Sequence, residues 1–157
     1  MPTDSGTIMI RDAVATDAAR VAELLTQLGA PGVDAAEAGR RLGRGEERVL
    51  VAVGPDGVVT GLVAAKADLP FGHAAPMLRI SALICDAERR REGAAQALII
   101  SAKQLARRLG CTGIELTCGL APERAAAHRF YPEQGFAVDS YRYWWASDAE
   151  QPGEEAP

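Results

Sequence analysis

The ten residues Asp86-Ala87-Glu88-Arg89-Arg90-Arg91-Glu92-Gly93-Ala94-Ala95 place three consecutive arginines just before three small residues. Small side chains let an anion approach backbone N–H groups closely, and arginines at the mouth add attraction. The chemistry this pattern suits is the holding of phosphates, so a diphosphate-bearing ligand is expected. The flanking sequence supplies the means. Residues 77–85 read as an apolar strand and 94–109 as a helix, which makes the run a strand-to-helix loop. The first four N–H groups of a helix have no internal partner, and the helix dipole places partial positive charge there. No Gly-Lys-Ser/Thr follows, so the run is not a P-loop, and it has one glycine where a dinucleotide fingerprint needs three. Taken alone, it also fits a solvated charged turn.

The elements that must carry this loop can be read around it. Residues 7–11 are an expected first strand. Thr16 or Asp17 can cap a helix whose Val21, Leu24, Leu25 and Leu28 follow the 3.6 period up to Gly29. Asp34 with Glu37 suggests a capping-box start for a second helix to about Leu42. Residues 48–53 and 58–66 are strands joined by the turn Gly54-Pro55-Asp56-Gly57. A loop over 68–76 leads into strand 77–85, where alternation puts Leu78, Ile80, Ala82 and Ile84 on one face and Arg79, Ser81, Leu83 and Cys85 on the other. The following helix carries Leu98, Ala102, Leu105 and Leu109 on one stripe and closes at Gly110. Residues 112–118 form a strand reached by a helical crossover, hence parallel to 77–85. A helix from Pro122 should end near Tyr131 because Pro132 follows. Residues 136–138 and 141–146 complete the sheet, with Tyr141, Tyr143 and Trp145 alternating against Trp144. Those aromatics suit core packing, a pocket wall or a dimer interface.

Composition narrows the function classes. The 157 residues are 48% hydrophobic and 24% charged, a soluble globular balance. A domain this long buries roughly 70% of its unfolded surface. No apolar run approaches the ~18 residues that cross a bilayer, and the N-terminus shows no basic region followed by an apolar one, so no membrane partner or secretion signal is expected. Cys85, Cys111 and Cys118 have neither CxxC nor metal-ligand spacing, which fits reduced thiols in a cytoplasmic protein and no metal. Net charge is −4. Four of the 21 acidic residues lie in the tail 147–157, leaving 17 against 17 Lys and Arg. A neutral body lacks the basic face that nucleic acid needs, and the tail reads as disordered.

Arg90-Arg91-Glu92-Gly93-Ala94-Ala95 fits Arg/Gln-x-x-Gly-x-Gly/Ala and resembles the acetyl-CoA signature of the GNAT N-acetyltransferases. A second run, Ala127-His-Arg-Phe-Tyr-Pro-Glu-Gln-Gly-Phe136, resembles that family's Ala-x-x-Phe-Tyr-x-x-x-Gly-Phe signature, one strand and one helix further on. The likeness covers about residues 7–146. It implies a mixed α/β GNAT acyl-CoA acyltransferase fold: a twisted central sheet of six to seven strands, a splayed parallel pair in its middle and about four helices. The expected organisation is one domain over residues 1–146 and the acidic tail over 147–157.

The resemblance also implies an activity. Acetyl-CoA is the expected co-substrate, and a primary amine of a small molecule or protein the expected acceptor, attacking directly in a ternary complex. The pantetheine arm would pair with backbone at Leu83, Ile84 and Cys85, and the diphosphate would sit on N–H groups from Arg90 to Ala95 (Arg90, Arg91, Glu92, Gly93, Ala94 and Ala95). A backbone N–H at Leu83 or Ile84 would stabilise the oxyanion. Tyr131 matches the family's general acid for the departing thiolate, although it could simply pack at a helix end. Homodimers are frequent in the family.

Two positions depart from the family's pattern. No Glu stands on strand 77–85, so the general base is open among Asp68, His73, Glu115, His128 and bulk water. Gly119-Leu-Ala-Pro122 lacks the Asn that often binds pantetheine. The missing Glu motivates an alternative: a non-catalytic acyl-CoA sensor of the same fold. Acetylation of charged tRNA is disfavoured by the neutral body.

Overall fold

A computed structural model describes residues 6–90 and 92–147. The chain forms two compact units, Met1–Leu116 and Thr117–Pro157. The first contains a five-stranded mixed sheet in chain order: β1 (Met9–Asp12), β2 (Arg48–Val53), β3 (Val59–Asp68), β4 (Met77–Cys85) and β5 (Ile114–Glu115). β1 to β4 pair antiparallel, and β4 pairs parallel with β5. Helices α1 (Ala18–Leu28) and α2 (Ala35–Arg44) lie between β1 and β2 in sequence, and α3 (Ala94–Arg108) is the crossover from β4 to β5.

Local chemistry explains the boundaries. Gly29 ends α1 with φ 102°, a left-handed backbone that a side chain would strain. Asp34 caps α2 by accepting from Glu37 N–H at 2.8 Å. Asp17, expected as a cap of α1, instead holds Arg11 at 2.7 Å and the Val14 N–H at 2.8 Å, locking the end of β1 to the start of α1. At the β2–β3 turn, the N–H of Gly54 donates to the Val58 carbonyl at 2.9 Å. One core joins Val21 and Leu24 of α1 to Val51, Val59 and Leu62 of the sheet. α3 buries Leu98, Ile99, Ala102 and Leu105. Each fully buried Leu or Ile contributes roughly 1.5–3 kcal/mol, so Leu24, Leu62, Leu78, Leu98 and Ile99 dominate the unit's stability.

β4 spans the expected residues, but its faces do not alternate as expected. Ala64 pairs with Ala82 while the next residue, Ala65, pairs with Ile80, so Ser81 is an extra residue in the strand. Residues paired across strands share a face. Leu78 and Ile80 therefore lie on the face of Ala67 and Ala65, whereas Ala82 and Ile84 lie with Ala64 and Leu62 and pack against the α1 core. The four do not share one face, because the bulge at Ser81 reverses the alternation.

β5 is shorter than the expected strand over residues 112–118, and the bulge changes which β4 residues face its side. The Leu78 N–H donates to Gly113 on the β5 side at 2.9 Å. Eight residues on, the Asp86 N–H donates to Thr60 on the β3 side at 2.8 Å. In an unbroken strand, residues an even number apart face the same way, so the bulge has shifted the phase. Past Ser81 it is Leu83 and Cys85, in place of the even-numbered residues, that face the side away from β3, and pairing with β5 ends at Arg79 and Glu115.

In the second unit, a 3-10 turn at Pro122–Arg124 leads into α4 (Ala125–Glu133). Pro132 lies inside α4 instead of ending it at Tyr131. A proline in the last turn forfeits one hydrogen bond, and the Gln134 N–H, donating to Phe130 and Tyr131, still closes the helix. Residues 136–146 form no strand among those described, so the sheet has five strands where six to seven were expected. A strand exists only where a partner edge takes up its backbone groups, and the described part of this unit offers none. Tyr141, Tyr143, Trp144 and Trp145 are exposed. The acidic tail, apart from Ser147, lies outside the described residues, as does Arg91.

Candidate active site

The loop before α3 is fixed at one end and open at the other. Asp86 is buried at 7% exposure. It accepts from Arg20 at 2.5 Å, Gln27 at 3.4 Å and the Glu88 N–H at 3.1 Å. Arg20 also donates to the Val59 carbonyl at 2.8 Å, and Gln27 accepts the Ala87 N–H at 3.0 Å. The Arg20 guanidinium, with help from the Glu88 N–H, holds the Asp86 carboxyl below its ordinary pKa. Arg89 is engaged by Asp56 at 2.7 Å. The backbone of Ala87, Glu88 and Arg89 is thus already bonded.

Beyond Arg89 the bonding stops. Gly93 adopts φ 85°, ψ 7° at the helix start and offers no side chain to cap it. The first helical bond runs from the Ala97 N–H to the Gly93 carbonyl at 3.0 Å. The N–H groups of Ala94, Ala95 and Gln96 have no partner among the described residues, as a bare helix N-terminus requires. Arg90 and Glu92 are exposed, and no ion pair engages Arg90 among the described residues.

The end of β4 presents a second open set. Since Asp86 N–H faces β3, so does that of Ile84, while Leu83 and Cys85 direct their N–H and C=O groups to the opposite edge. No described strand pairs with that edge beyond Arg79. The Cys85 side chain is tucked inward: burial pushes its thiol up to about 11, against the pull of Arg90. Gly61 makes this packing possible, because a Cβ there would stand 2.9 Å from the Cys85 sulfur and 3.2 Å from Leu98. An open strand edge beside a bare helix N-terminus suits a ligand that combines amide groups with phosphates.

The candidate bases fare differently. Glu115 is held by Arg79 at 3.1 Å. Asp68 pairs with Met77, six residues from Leu83 and so about 20 Å along the strand. His73 sits exposed in the loop preceding β4. His128, on α4, donates from Nε2 to the Gly119 carbonyl at 2.7 Å. In the same unit, Tyr131 stacks edge-on with Phe130 at 5.4 Å and Phe136 at 5.8 Å, which fixes its ring.

A carboxylate that sequence reading missed lies beside the bulge. The Ser81 hydroxyl donates to Glu47, just before β2, at 2.6 Å. Strand register brings the two together across 34 positions, and no local spacing announces that. Among the described residues no set of His, Cys, Asp and Glu could hold a metal, and no helix is long and apolar enough to cross a membrane.

A family model described as the acetyltransferase (GNAT) family matches residues 19–136. No curated protein sequence matches the chain. Among solved structures, glucosamine-6-phosphate N-acetyltransferase from Arabidopsis thaliana is similar with a TM-score of 0.75 and 20% identity, covering 90% of this chain and 99% of that one. Ribosomal-protein-alanine N-acetyltransferase from Brucella melitensis gives 0.76 and 20%, with coverage of 90% and 99%. An aminoglycoside N-acetyltransferase in complex with CoA gives 0.76 and 18%, with coverage of 92% and 97%. At these identities the likeness is one of fold.

Proposed function

The chain belongs to the GNAT acetyltransferase family, and from that premise we propose that it transfers an acetyl group from acetyl-CoA to a primary amine. The observation that carries this reading is the presence of two backbone sets with no partner among the described residues, Leu83 and Cys85 on the β4 edge and Ala94–Gln96 at the start of α3. Amides of the pantetheine arm match the strand edge, and the diphosphate matches the helix N-terminus, with the exposed cation Arg90 beside it. The crystallised relative named for its CoA complex shares this fold.

The acceptor nitrogen forms a bond to the acetyl carbonyl carbon, and the C–S bond breaks. Charge gathers on the carbonyl oxygen meanwhile, and the Leu83 N–H is the donor for it. The thiolate that leaves takes a proton from Tyr131, the residue matching the family's general acid, and the nitrogen sheds an N–H proton to water as the amide forms. An aminoglycoside, glucosamine 6-phosphate and an alanine of a ribosomal protein are the acceptors in the names of those relatives, and an amine of one of these classes is the proposed acceptor.

The test is acetyl-CoA binding by calorimetry together with thiol release in the presence of those amines. Binding with turnover is expected. Gly93→Asp, which sets a carboxylate beside the phosphates, should weaken binding at least tenfold, about 1.4 kcal/mol. Binding without turnover on any amine would favour an acyl-CoA sensor, and unaltered affinity in Gly93→Asp would contradict the phosphate site.

A further inference from the structure

Strand 77–85 carries no Glu, but the Ser81 hydroxyl at its bulge holds a carboxylate from elsewhere in the chain, Glu47. We propose that Glu47, positioned by Ser81, takes the proton from the acceptor amine; this rests on the transferase reading above.

The surroundings of Glu47 favour that role. Arg41 and Arg44 of α2 line a depression of about 290 Å³ with Glu46 and Glu47. Both arginines are engaged by Glu37, at 2.9 and 3.5 Å. Arg48, the next residue, is held by Asp12 at 2.5 Å, and Arg79 on β4 by Glu115 at 3.1 Å. Each of these four arginines is therefore engaged by a carboxylate other than Glu47, with Arg41 and Arg44 sharing Glu37. Among the described residues no ion pair engages Glu47, whose bonded partner is the neutral Ser81 hydroxyl. A carboxylate committed to an arginine is a poor proton acceptor, and one held by a single hydroxyl keeps an oxygen free.

Location agrees with chemistry. Ser81 precedes Leu83 by two residues, about 6.6 Å along a strand, and Leu83 offers the N–H assigned to the oxyanion. The proton passes from the acceptor's ammonium to the Glu47 carboxylate and on to solvent, leaving the nitrogen lone pair for the carbonyl carbon. Asp68 and His73 sit toward the other end of β4, and Glu115 is taken.

The test compares Glu47→Gln, Glu47→Asp and Ser81→Ala with the wild-type chain, following thiol release from acetyl-CoA against pH. The probes are kanamycin, glucosamine 6-phosphate and an alanine-terminated peptide. Glu47→Gln should lower kcat by about 10²-fold near neutral pH, with acetyl-CoA affinity unchanged and the deficit closing as pH rises past the amine's own pKa. Glu47→Asp should recover part of the loss, and Ser81→Ala should show the same pH signature at smaller size. If Glu47→Gln melts early, Ser81→Ala decides in its place. A pH–kcat profile superposing on wild type overturns the role of Glu47 and leaves the transferase standing. Wild-type binding of acetyl-CoA without turnover on any probe overturns both.

Discussion

Residues 77–80 and 82–85 belong to one strand and are alike in composition, yet they have opposite surroundings. In the first half, Leu78 has strands on both sides and no exposed surface, and its N–H goes to Gly113. In the second half, Leu83 and Cys85 have β3 on one side and an edge without a described strand on the other. One inserted residue, Ser81, separates the two. The comparison teaches that the first half supplies stability and the second supplies backbone without a partner among the described residues, and that the bulge selects Leu83 and Cys85 as the residues that present it.

Predictions follow from breaking each half. Leu78→Ala should lose about 2–5 kcal/mol of stability, read by urea unfolding, without altering the acetyl-CoA affinity of the folded fraction. Leu83→Pro removes an N–H directed to the open edge, so turnover should fall about 10²–10³-fold while the chain still folds. Ile84→Pro removes a ladder bond to β3 and should be less stable than Leu83→Pro by about 1–3 kcal/mol. If the two proline variants unfold alike, the phase shift is wrong.

Asp86→Asn loosens the anchor below the loop, with an expected loss of about 1–3 kcal/mol. Arg20 lowers the Asp86 pKa in the folded state, so its contribution is complete above the unfolded value of about 3.9 and disappears as pH falls through the folded one. The stability gap between wild type and Asp86→Asn should accordingly close below pH 4, as urea midpoints across pH 3–7 would show. The smallest effect concerns Cys85. With its thiol pushed up to about 11, alkylation at pH 8 should be far slower than at Cys111 or Cys118, measured by mass spectrometry.

Much of this arrangement was legible in the residues. The turn Gly54–Gly57, the Asp34 cap and the crossover from β4 to β5 follow from local chemistry, and the loop from Arg90 to Ala95 announced its own helix N-terminus. The bulge was not legible, because Leu78, Ile80, Ala82 and Ile84 alternate as cleanly as in a regular strand. Only the partner's register shows that Ser81 is surplus. Glu47 was invisible for the same reason, since strand pairing brings it to Ser81. Pro132 misled in another way, for a proline is harmless in a last turn. The aromatic alternation at 141–145 suggested strand pairing, but alternation expresses a preference and pairing needs an edge.

The most direct test of the central claim is amide hydrogen exchange by NMR with and without acetyl-CoA. Leu83, Cys85, Ala94, Ala95 and Gln96 should exchange more slowly in its presence, while Ile84, bonded to β3 throughout, should change little. Protection elsewhere, with those five amides unaffected, would contradict the account.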